Sequence, residues 1–181
     1  LSFARQDKES HSPACIADVA DATLSLIGAV LRKDQVDVVV DIPADTPRVR
    51  CRSQQIEQVL MNLLTNARDA LNARFPGHDE RKRIEIRARG VVHDGGRWVR
   101  VTVEDGGIGV PRALQDRIFA PFFTTKSRDQ GTGLGLAISY GIIRDHRGTL
   151  TVESEEGAFT RFTIELPACD EDAGEPGGEG G

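Results

Sequence analysis

Apolar residues recur at helical spacing in some stretches of the chain and alternate with polar residues in others. Stripes at three- and four-residue spacing predict a helix over 16–31 and a long helix from Ser53, a plausible N-cap, to about Ala73. A further helix is expected from about Leu134 to Asp145. Short β-branched or alternating runs predict strands at residues 36–42, 48–51, 83–92, 97–104, 149–154 and 160–166.

The order of these helices and strands predicts an α+β domain, a two-layer sandwich in which a mixed β-sheet is backed by helices on one face. A chain of 181 residues suits a single core. Asp94-Gly95-Gly96, between two alternating runs, is a strong signal for a hairpin. The three cysteines are far apart and form no CxxC motif, which indicates a reducing compartment and no zinc site. No apolar run approaches the ~18 residues of a membrane span.

The formal net charge of −5 comes from the end of the chain, where residues 170–181 contain five carboxylates and no basic residue. The remainder is neutral, which argues against broad nucleic-acid binding through phosphate neutralisation. We expect residues 168–181, rich in glycine and acid, to form a disordered tail. Residues 1–11 look like the end of an upstream helix and its linker. Met61 is the only methionine, so we expect the chain to be part of a longer protein.

Three polar residues share one face of the long predicted helix. Asn62, Asn66 and Asp69 lie four and three residues apart, about one turn from each other. Asparagine rarely favours a helix interior, because its side chain competes for backbone hydrogen bonds. Amide and carboxylate oxygens suit Mg²⁺, so one interpretation is a cation site. The other is a solvated polar face, which the helix taken alone favours.

A glycine-rich loop, Asp105-Gly106-Gly107-Ile108-Gly109, directly follows the strand that ends at Glu104. Its three glycines permit positive φ angles and close approach of the backbone to another group. An aspartate at this strand end can accept a hydrogen bond from an exocyclic amine of a ligand. A glycine turn with an Asx hydrogen bond is an equally good interpretation of the loop alone.

A second glycine cluster, Gly131-Thr132-Gly133-Leu134-Gly135-Leu136, runs straight into the last predicted helix. Glycines before a helix expose backbone N–H groups to an anion, and the helix dipole favours negative charge there. The cluster lacks the lysine of a Walker loop, and it does not follow a strand as the dinucleotide fingerprint does. It is therefore a weak signal alone and a stronger one beside the other two features.

Three aromatic residues, Phe119, Phe122 and Phe123, lie between the two glycine clusters and precede Lys126. Aromatic side chains can anchor the base of a mobile loop while its polar tip closes over a ligand. The alternative is a partly exposed hydrophobic loop, which is costly with three phenylalanines together.

Together these segments resemble the ATP-binding domain of sensor histidine kinases, within the superfamily of gyrase, chaperone, histidine kinase and mismatch-repair ATPases. Four boxes carry the resemblance: QVLMNLLTNARDAL (58–71), EDGGIGV (104–110), IFAPFFTTK (118–126) and GTGLGLAIS (131–139). The match covers roughly residues 12–167, the extent expected for the domain. NARDA is similar to the nitrogen-regulatory kinases and also to the gyrase and mismatch-repair ATPases. The resemblance implies a Bergerat-type fold, with ATP in a cleft under a flexible lid.

The resemblance also implies roles for individual residues. Asn66 would bind the Mg²⁺ ion that bridges the ATP phosphates, and Asn62 would help to position metal or phosphate. Asp105 would bind the adenine amine, and Lys126 would reach the terminal phosphates from the lid. Further contacts with the nucleotide would come from Asp69, Gly107, Gly109, Thr132, Gly133, Leu134, Gly135 and Thr160.

Two positions on the long helix distinguish this chain from other members of the superfamily. Asp69 stands where many sensor kinases have a basic residue, and Arg68 lies on another face of the helix. Asn62 stands where the ATPase branches have a glutamate that acts as a base for water. An amide cannot act as a general base at neutral pH. The resemblance therefore implies phosphoryl transfer to an external nucleophile rather than hydrolysis.

That nucleophile would be a histidine, and none of His11, His78, His93 and His146 stands in the family's acceptor pattern. His146 is expected to be a structural turn residue, so the acceptor should lie upstream. The leading hypothesis is the catalytic domain of a two-component sensor kinase, which passes the γ-phosphoryl group of Mg-ATP to that histidine. The alternatives are an ATP-driven clamp and a nucleotide-sensing module without transfer.

The implied partners follow from this hypothesis. They are ATP, an upstream dimerisation and phosphoacceptor domain of the same protein, and a response regulator as downstream acceptor, with no nucleic acid. The fragment is expected to be a cytoplasmic monomer, and its parent a homodimer that can be membrane-anchored.

Overall fold

The structure of the chain is a computed structural model, which describes residues 11–124 and 132–169. The helices are α1 (Ile16–Lys33), α2 (Ser53–Arg74), α3 (Arg112–Gln115) and α4 (Gly135–Asp145). The strands are β1 (Ser12–Ala14), β2 (Asp37–Asp41), β3 (Val49–Cys51), β4 (Arg83–His93), β5 (Gly96–Asp105), β6 (Thr149–Glu155) and β7 (Phe159–Pro167). Over the described ranges, no helix combines the length and the apolar character needed to cross a bilayer.

Five strands form one mixed sheet in the order β2-β4-β5-β7-β6. β2 runs parallel to β4, and the other neighbours are antiparallel. β4 and β5 form the predicted hairpin. Asp94 and Gly95 in its turn have φ angles of 51° and 72°, the left-handed backbone that a two-residue type I′ turn requires. β1 and β3 pair separately as a short antiparallel ribbon.

The helices cover one face of the sheet. α2 contacts both α1 and α4. Its buried stripe consists of Ile56, Val59, Leu60, Leu63, Leu64, Ala67 and Leu71. Alternate residues of β4 and β5 complete this part of the core: Ile84, Ile86, Ala88, Val99, Val101 and Val103. The other face of the sheet carries cross-strand ion pairs, such as Arg161 with Glu104 at 2.5 Å and Arg100 with Glu165 at 2.7 Å.

The predicted α+β sandwich is confirmed, with one boundary corrected. Ser53 is the first residue of α2 rather than its N-cap, which is Arg52. The Arg52 side chain makes no capping hydrogen bond, but its backbone N–H donates to Nε2 of His146 at 3.1 Å. The start of α2 therefore has no side-chain cap, and a tertiary hydrogen bond joins its N-cap residue to His146. The very short β1 and α3 carry too few residues for a periodic pattern and were not predicted.

The end of the described chain remains bound to the fold beyond the last strand. The Ala168 N–H donates to the Arg97 carbonyl at 3.0 Å, and the Cys169 N–H donates to the Arg48 carbonyl at 2.7 Å. Hydrogen bonding to the domain therefore continues two residues past position 167, where the sequence pattern ends.

Candidate functional site

Contacts of α2 with the start of α4 and with the loop after β5 bring the predicted site together. Asn62 of α2 donates a hydrogen bond to the carbonyl of Gly135, the first residue of α4. Further along the helix, the Ala70 carbonyl accepts from the Ile108 N–H at 3.3 Å. The stretch of α2 at residues 62–70 therefore runs from one glycine loop to the other.

Asp105 is the last residue of β5, and only 4% of its surface is exposed. The Gly107 N–H donates to its Oδ1 at 2.8 Å, so the Asx hydrogen bond is present. Burial raises the pKa of the Asp105 carboxyl to about 7; the Gly107 hydrogen bond opposes that rise, and the charge of Glu104 adds to it. A carboxylate accepts up to about four hydrogen bonds, so Asp105 can also accept one from a ligand amine.

Thr160 lies beside Asp105, because the two residues are direct partners across β7 and β5. Thr160 is also 4% exposed, and its hydroxyl lies 2.9 Å from Oγ of Ser154. Ser154 Oγ accepts from the Val110 N–H at 2.8 Å and donates to the Phe159 carbonyl at 2.7 Å. The structure therefore brings Thr160 and Asp105 together and surrounds them with satisfied polar groups.

Two residues near this end of the site were missed by the sequence motifs. Gln115 of α3 donates through Nε2 to the carbonyls of Val110 and Ser154, both at 2.9 Å. Arg74, at the end of α2, donates to carbonyls of the first glycine loop and of the turn between β6 and β7 at 2.8 to 3.3 Å. Their partners are backbone oxygens, most of them far away in sequence, so neither residue has a spacing signal.

Gly107 and Gly109 are packed against the protein itself. A Cβ atom on Gly107 would lie 2.6 Å from the backbone and side chain of Ala70. Gly109 has a φ of +71°, and a Cβ there would lie 2.1 Å from the carbonyl oxygen of Glu155. The resemblance attributed both glycines to the approach of a nucleotide, and the structure adds an internal packing requirement at each.

The second glycine loop is joined to α2 through Asn62. The two Nδ2 hydrogens of Asn62 point to the Gly135 carbonyl and to Ser139 Oγ, both at 3.1 Å. The Leu134 N–H lies 3.3 Å from its acceptor, Thr132 Oγ1. The first turn of α4 follows, and the N–H groups of a first turn have no partner inside the helix. The structure thus places a helix N-terminus, the usual binding site for an anion, beside Asn62.

The aromatic residues of the predicted lid divide into two kinds. Phe119 and Phe123 pack against the core, whereas Phe122 is 75% exposed. Phe122 and Gly133 both have positive φ angles, of 63° and 67°, and a Cβ on Gly133 would lie 2.6 Å from the Phe122 backbone. The anchoring function predicted for the aromatics therefore fits Phe119 and Phe123. Lys126 lies outside the described residues.

The remaining polar residues of α2 lie along the same stretch. Asn66 and Asp69 are half-buried. Asp69 Oδ1 lies 3.7 Å from Nη1 of Arg68, whose Nε forms an ion pair with Asp34 at the end of α1. The hydrogen bond from Arg68 lowers the pKa of Asp34. Arg68 thus points to α1, in agreement with its predicted face. Residues 11–124 and 132–169 contain no group of three His, Cys, Asp or Glu placed to hold a metal ion.

His146 has the structural role that was predicted for it. Its Nδ1 lies 2.7 Å from the Ile142 carbonyl and therefore carries a proton, while its Nε2 accepts from the Arg52 N–H at 3.1 Å. Only 5% of His146 is exposed. Both ring nitrogens are used to join the end of α4 to the start of α2.

Comparison with known proteins places these features in a family. A model described as "Histidine kinase-, DNA gyrase B-, and HSP90-like ATPase" matches residues 51–170. The chain is 40% identical over 148 residues to the two-component sensor PprA of Pseudomonas aeruginosa, which covers 81% of this chain and 15% of PprA. It is 40% identical over 134 residues to the sensory histidine kinase/phosphatase NtrB of Vibrio alginolyticus, which covers 70% of this chain and 36% of NtrB. The chain therefore spans well under half the length of these relatives.

A solved structure agrees with this assignment over nearly the whole domain. The catalytic domain of the histidine kinase ThkA superposes with a TM-score of 0.72 at 32% identity, covering 87% of this chain and 95% of that domain. The chain is accordingly an ATP-binding catalytic domain of the histidine kinase type, and it belongs to the histidine kinase-, DNA gyrase B- and HSP90-like ATPase family.

Proposed function

We propose that the longer protein containing this domain is a two-component sensor histidine kinase. The domain transfers the γ-phosphoryl group of Mg-ATP to a histidine on an upstream dimerisation and phosphoacceptor domain, and a response regulator is the next acceptor. The parent acts as a homodimer whose catalytic domain works in the cytoplasm. Catalysis comes mainly from positioning the reactants and stabilising charge.

The hydrogen bonding of Asn62 is the observation that carries this proposal. Its amide directs both hydrogens to α4, towards Gly135 and Ser139. An amide has no basic site at neutral pH, so Asn62 orients the phosphate loop without activating water. Such a site favours an external nucleophile over hydrolysis.

Asn66 is the residue we propose as the protein ligand of Mg²⁺. An amide oxygen is a hard ligand that suits this ion, and Mg²⁺ usually keeps several waters and binds substrate phosphates besides one or two protein groups. The described residues contain no cluster of three His, Cys, Asp or Glu for a metal ion. A single amide ligand fits an ion that arrives with the nucleotide and takes its other ligands from phosphate and water. When bound, the ion would neutralise charge on the phosphates.

The other contacts divide between the two ends of the nucleotide. Asp105 and Thr160 bind the adenine end, Thr160 through water, and Asp105 supplies the acceptor for the exocyclic amine. Lys126 and the N-terminus of α4 with residues 132–135 bind the phosphate end, where backbone N–H groups and the helix dipole favour an anion. Asp69 is an anion itself, so its contact with this end of the nucleotide is made through the Mg²⁺ ion.

Incubation of the full-length parent with ATP labelled in the γ-phosphate tests the proposal. We expect an acid-labile phosphohistidine upstream of this domain, which the Asn66→Ala variant fails to form. Release of labelled phosphate without histidine labelling contradicts the proposal and supports the ATP-driven clamp. ATP binding without either reaction also contradicts it and supports the nucleotide-sensing module.

A further inference from the structure

Arg74 lies in the last turn of α2, and its half-buried guanidinium extends to the loop after β5. Its Nη1 donates to the Gly106 carbonyl at 2.8 Å and to the Ala158 carbonyl at 3.0 Å. The Gly107 carbonyl is a third, longer contact at 3.3 Å. A single cation therefore ties the first glycine loop to the end of α2 and to the turn between β6 and β7.

The peptide unit between Gly106 and Gly107 has a partner at each end. Its carbonyl accepts from Arg74, and its N–H donates to Oδ1 of Asp105 at 2.8 Å. A cation at the carbonyl polarises the amide and strengthens its N–H as a donor. Rotation of this one peptide would break both hydrogen bonds at once.

The surroundings of the loop explain why this peptide can be held in one orientation. Gly107 has no space for a side chain, since a Cβ would lie 2.6 Å from both Ala70 and Asp105 Oδ1. The next residue, Ile108, donates to the Ala70 carbonyl at 3.3 Å and accepts from the Gly157 N–H at 2.6 Å. The loop is thus closely packed, and Arg74 supplies a charged contact in this packing.

The Gly107 N–H is also the group that opposes the effect of burial on the Asp105 carboxyl, whereas the neighbouring Glu104 raises its pKa further. Any change that weakens this N–H as a donor therefore raises the pKa of Asp105. Arg74 can act on Asp105 through the peptide without touching it.

We propose that Arg74 is a positioning residue for recognition of the base. It holds the Gly106–Gly107 peptide so that the Asp105 carboxylate is oriented to accept a hydrogen bond from the adenine amine. This inference rests on the proposed contact between Asp105 and adenine. Arg74 needs no contact with the nucleotide for this role.

The test compares Arg74→Gln with a matched control, Arg81→Gln. Both arginines lie over the ring of Phe75, at 5.0 and 4.5 Å from its centroid, but Arg81 bonds to Asp79 outside the site. The affinities of each variant for ADP and for inorganic triphosphate are measured in the presence of Mg²⁺, over a range of about two pH units on either side of pH 7.

We expect Arg74→Gln to weaken ADP binding about tenfold at pH 7, the size of one hydrogen bond to a charged group. The midpoint of its pH profile should move to higher pH, while the affinity for triphosphate stays unchanged. Arg81→Gln should match the wild-type chain in all three measurements. A folded Arg74→Gln variant with the wild-type midpoint overturns the inference.

A second variant decides the question if Arg74→Gln does not fold. Arg74→Lys keeps a cation but on a side chain about one bond shorter, which weakens the contact with the Gly106 carbonyl, so we expect the midpoint of its pH profile to lie above that of the wild-type chain. An unshifted midpoint in Arg74→Lys overturns the inference. Asp105→Asn distinguishes the adenine contact from its positioning by Arg74. Wild-type ADP affinity in Asp105→Asn would contradict the adenine contact itself. Reduced ADP affinity in Asp105→Asn, together with wild-type pH profiles in the Arg74 variants, would contradict only the positioning role.

Discussion

Two glycines of the first glycine loop, residues 106–109, pack closely against the protein. At Gly107 and Gly109 an added Cβ would lie 2.6 Å from Ala70 and 2.1 Å from the Glu155 carbonyl oxygen. Real Cβ atoms do not approach other atoms so closely, so neither position has space for alanine. This loop belongs structurally to the core that holds Asp105.

The second glycine loop combines a crowded position with an open one. A Cβ added to Gly133 would lie 2.6 Å from the Phe122 backbone, whereas a Cβ added to Gly135 would lie 3.6 Å from Asn62, an ordinary contact distance. The first loop therefore has two positions without space for a side chain, Gly107 and Gly109, whereas the second has one such position, Gly133, and an open one at Gly135, the first residue of α4. Glycine in a nucleotide motif does not by itself mean contact with the nucleotide.

Gly109→Ala gives the strongest test of this contrast. The substitution combines a clash with the Glu155 carbonyl and a left-handed backbone at φ +71°. We expect a loss of about 3 kcal/mol or more in the free energy of unfolding, measured by urea denaturation. Gly135→Ala should cost much less stability, because no atom there must move.

Gly157→Ala is the matched control for the clash. Gly157 has a similar φ of +76°, yet an added Cβ would meet nothing within 4 Å. It should cost only the backbone strain, about 1 kcal/mol. Equal losses at Gly109 and Gly157 would show that the close approach to Glu155 contributes nothing.

Asp105→Asn tests the base end as a binding site rather than as packing. The amide keeps the size of the carboxyl but accepts more weakly and without charge. We expect ADP affinity to fall about 10- to 100-fold at pH 8, the range for a hydrogen bond to a charged group. Affinity for inorganic triphosphate, which has no base, should not change, and an equal loss for both ligands would contradict the proposed contact between Asp105 and adenine.

The pH dependence of ADP binding should come from the Asp105 carboxyl. The pKa of the Asp105 carboxyl is raised to about 7, so below that pH the group is largely protonated and loses its acceptor charge. ADP affinity should therefore fall as pH decreases through 7 and approach a tenfold loss per unit at lower pH. Titration calorimetry in several buffers should also detect release of a proton on binding near pH 7. A flat profile from pH 6 to 8 would contradict the assignment.

The free energy of unfolding should depend on pH in the opposite sense to ADP affinity: it should fall as pH rises. The folded pKa of Asp105, about 7, lies above its ordinary value of 3.8, so the folded state retains a proton that the unfolded state has already lost. This contribution to stability is fully present below the unfolded pKa and is lost as pH rises through the folded pKa. Asp105→Asn should remove this dependence, which measurements of unfolding in urea across that window can check.

The fold was predictable from the sequence where periodicity is long. The stripes of α1 and α2 and the β4–β5 hairpin were found within about two residues of their ends. The start of α2 was missed by one residue: Arg52 is the N-cap residue, and its backbone N–H is bound by His146, which is distant in sequence. Local capping signals cannot contain such a tertiary partner.

The candidate site could be proposed from the sequence where residue type itself carries chemistry. Asp105 at a strand end and the glycines before α4 were singled out in this way, and the structure brings Asp105 next to Thr160. Arg74 and Gln115 were missed because they bind backbone carbonyls. Any polar side chain of suitable length can do so, and the sequence contains no record of which backbone oxygens lie within reach.

The smallest expected effect concerns the link between α2 and the phosphate end. Ser139 is fully buried and shares the Asn62 amide with the Gly135 carbonyl. Ser139→Ala removes one acceptor and leaves the other, so we expect a loss of about 1 kcal/mol in the free energy of unfolding. Asn62→Ala should cost somewhat more, and the double variant should cost less than the sum, because both changes break the same hydrogen bond. Additive losses would mean that the two side chains stabilise the domain independently. The Asn62–Ser139 hydrogen bond would then contribute nothing, and only the contact of Asn62 with the Gly135 carbonyl would link α2 to α4 at this point.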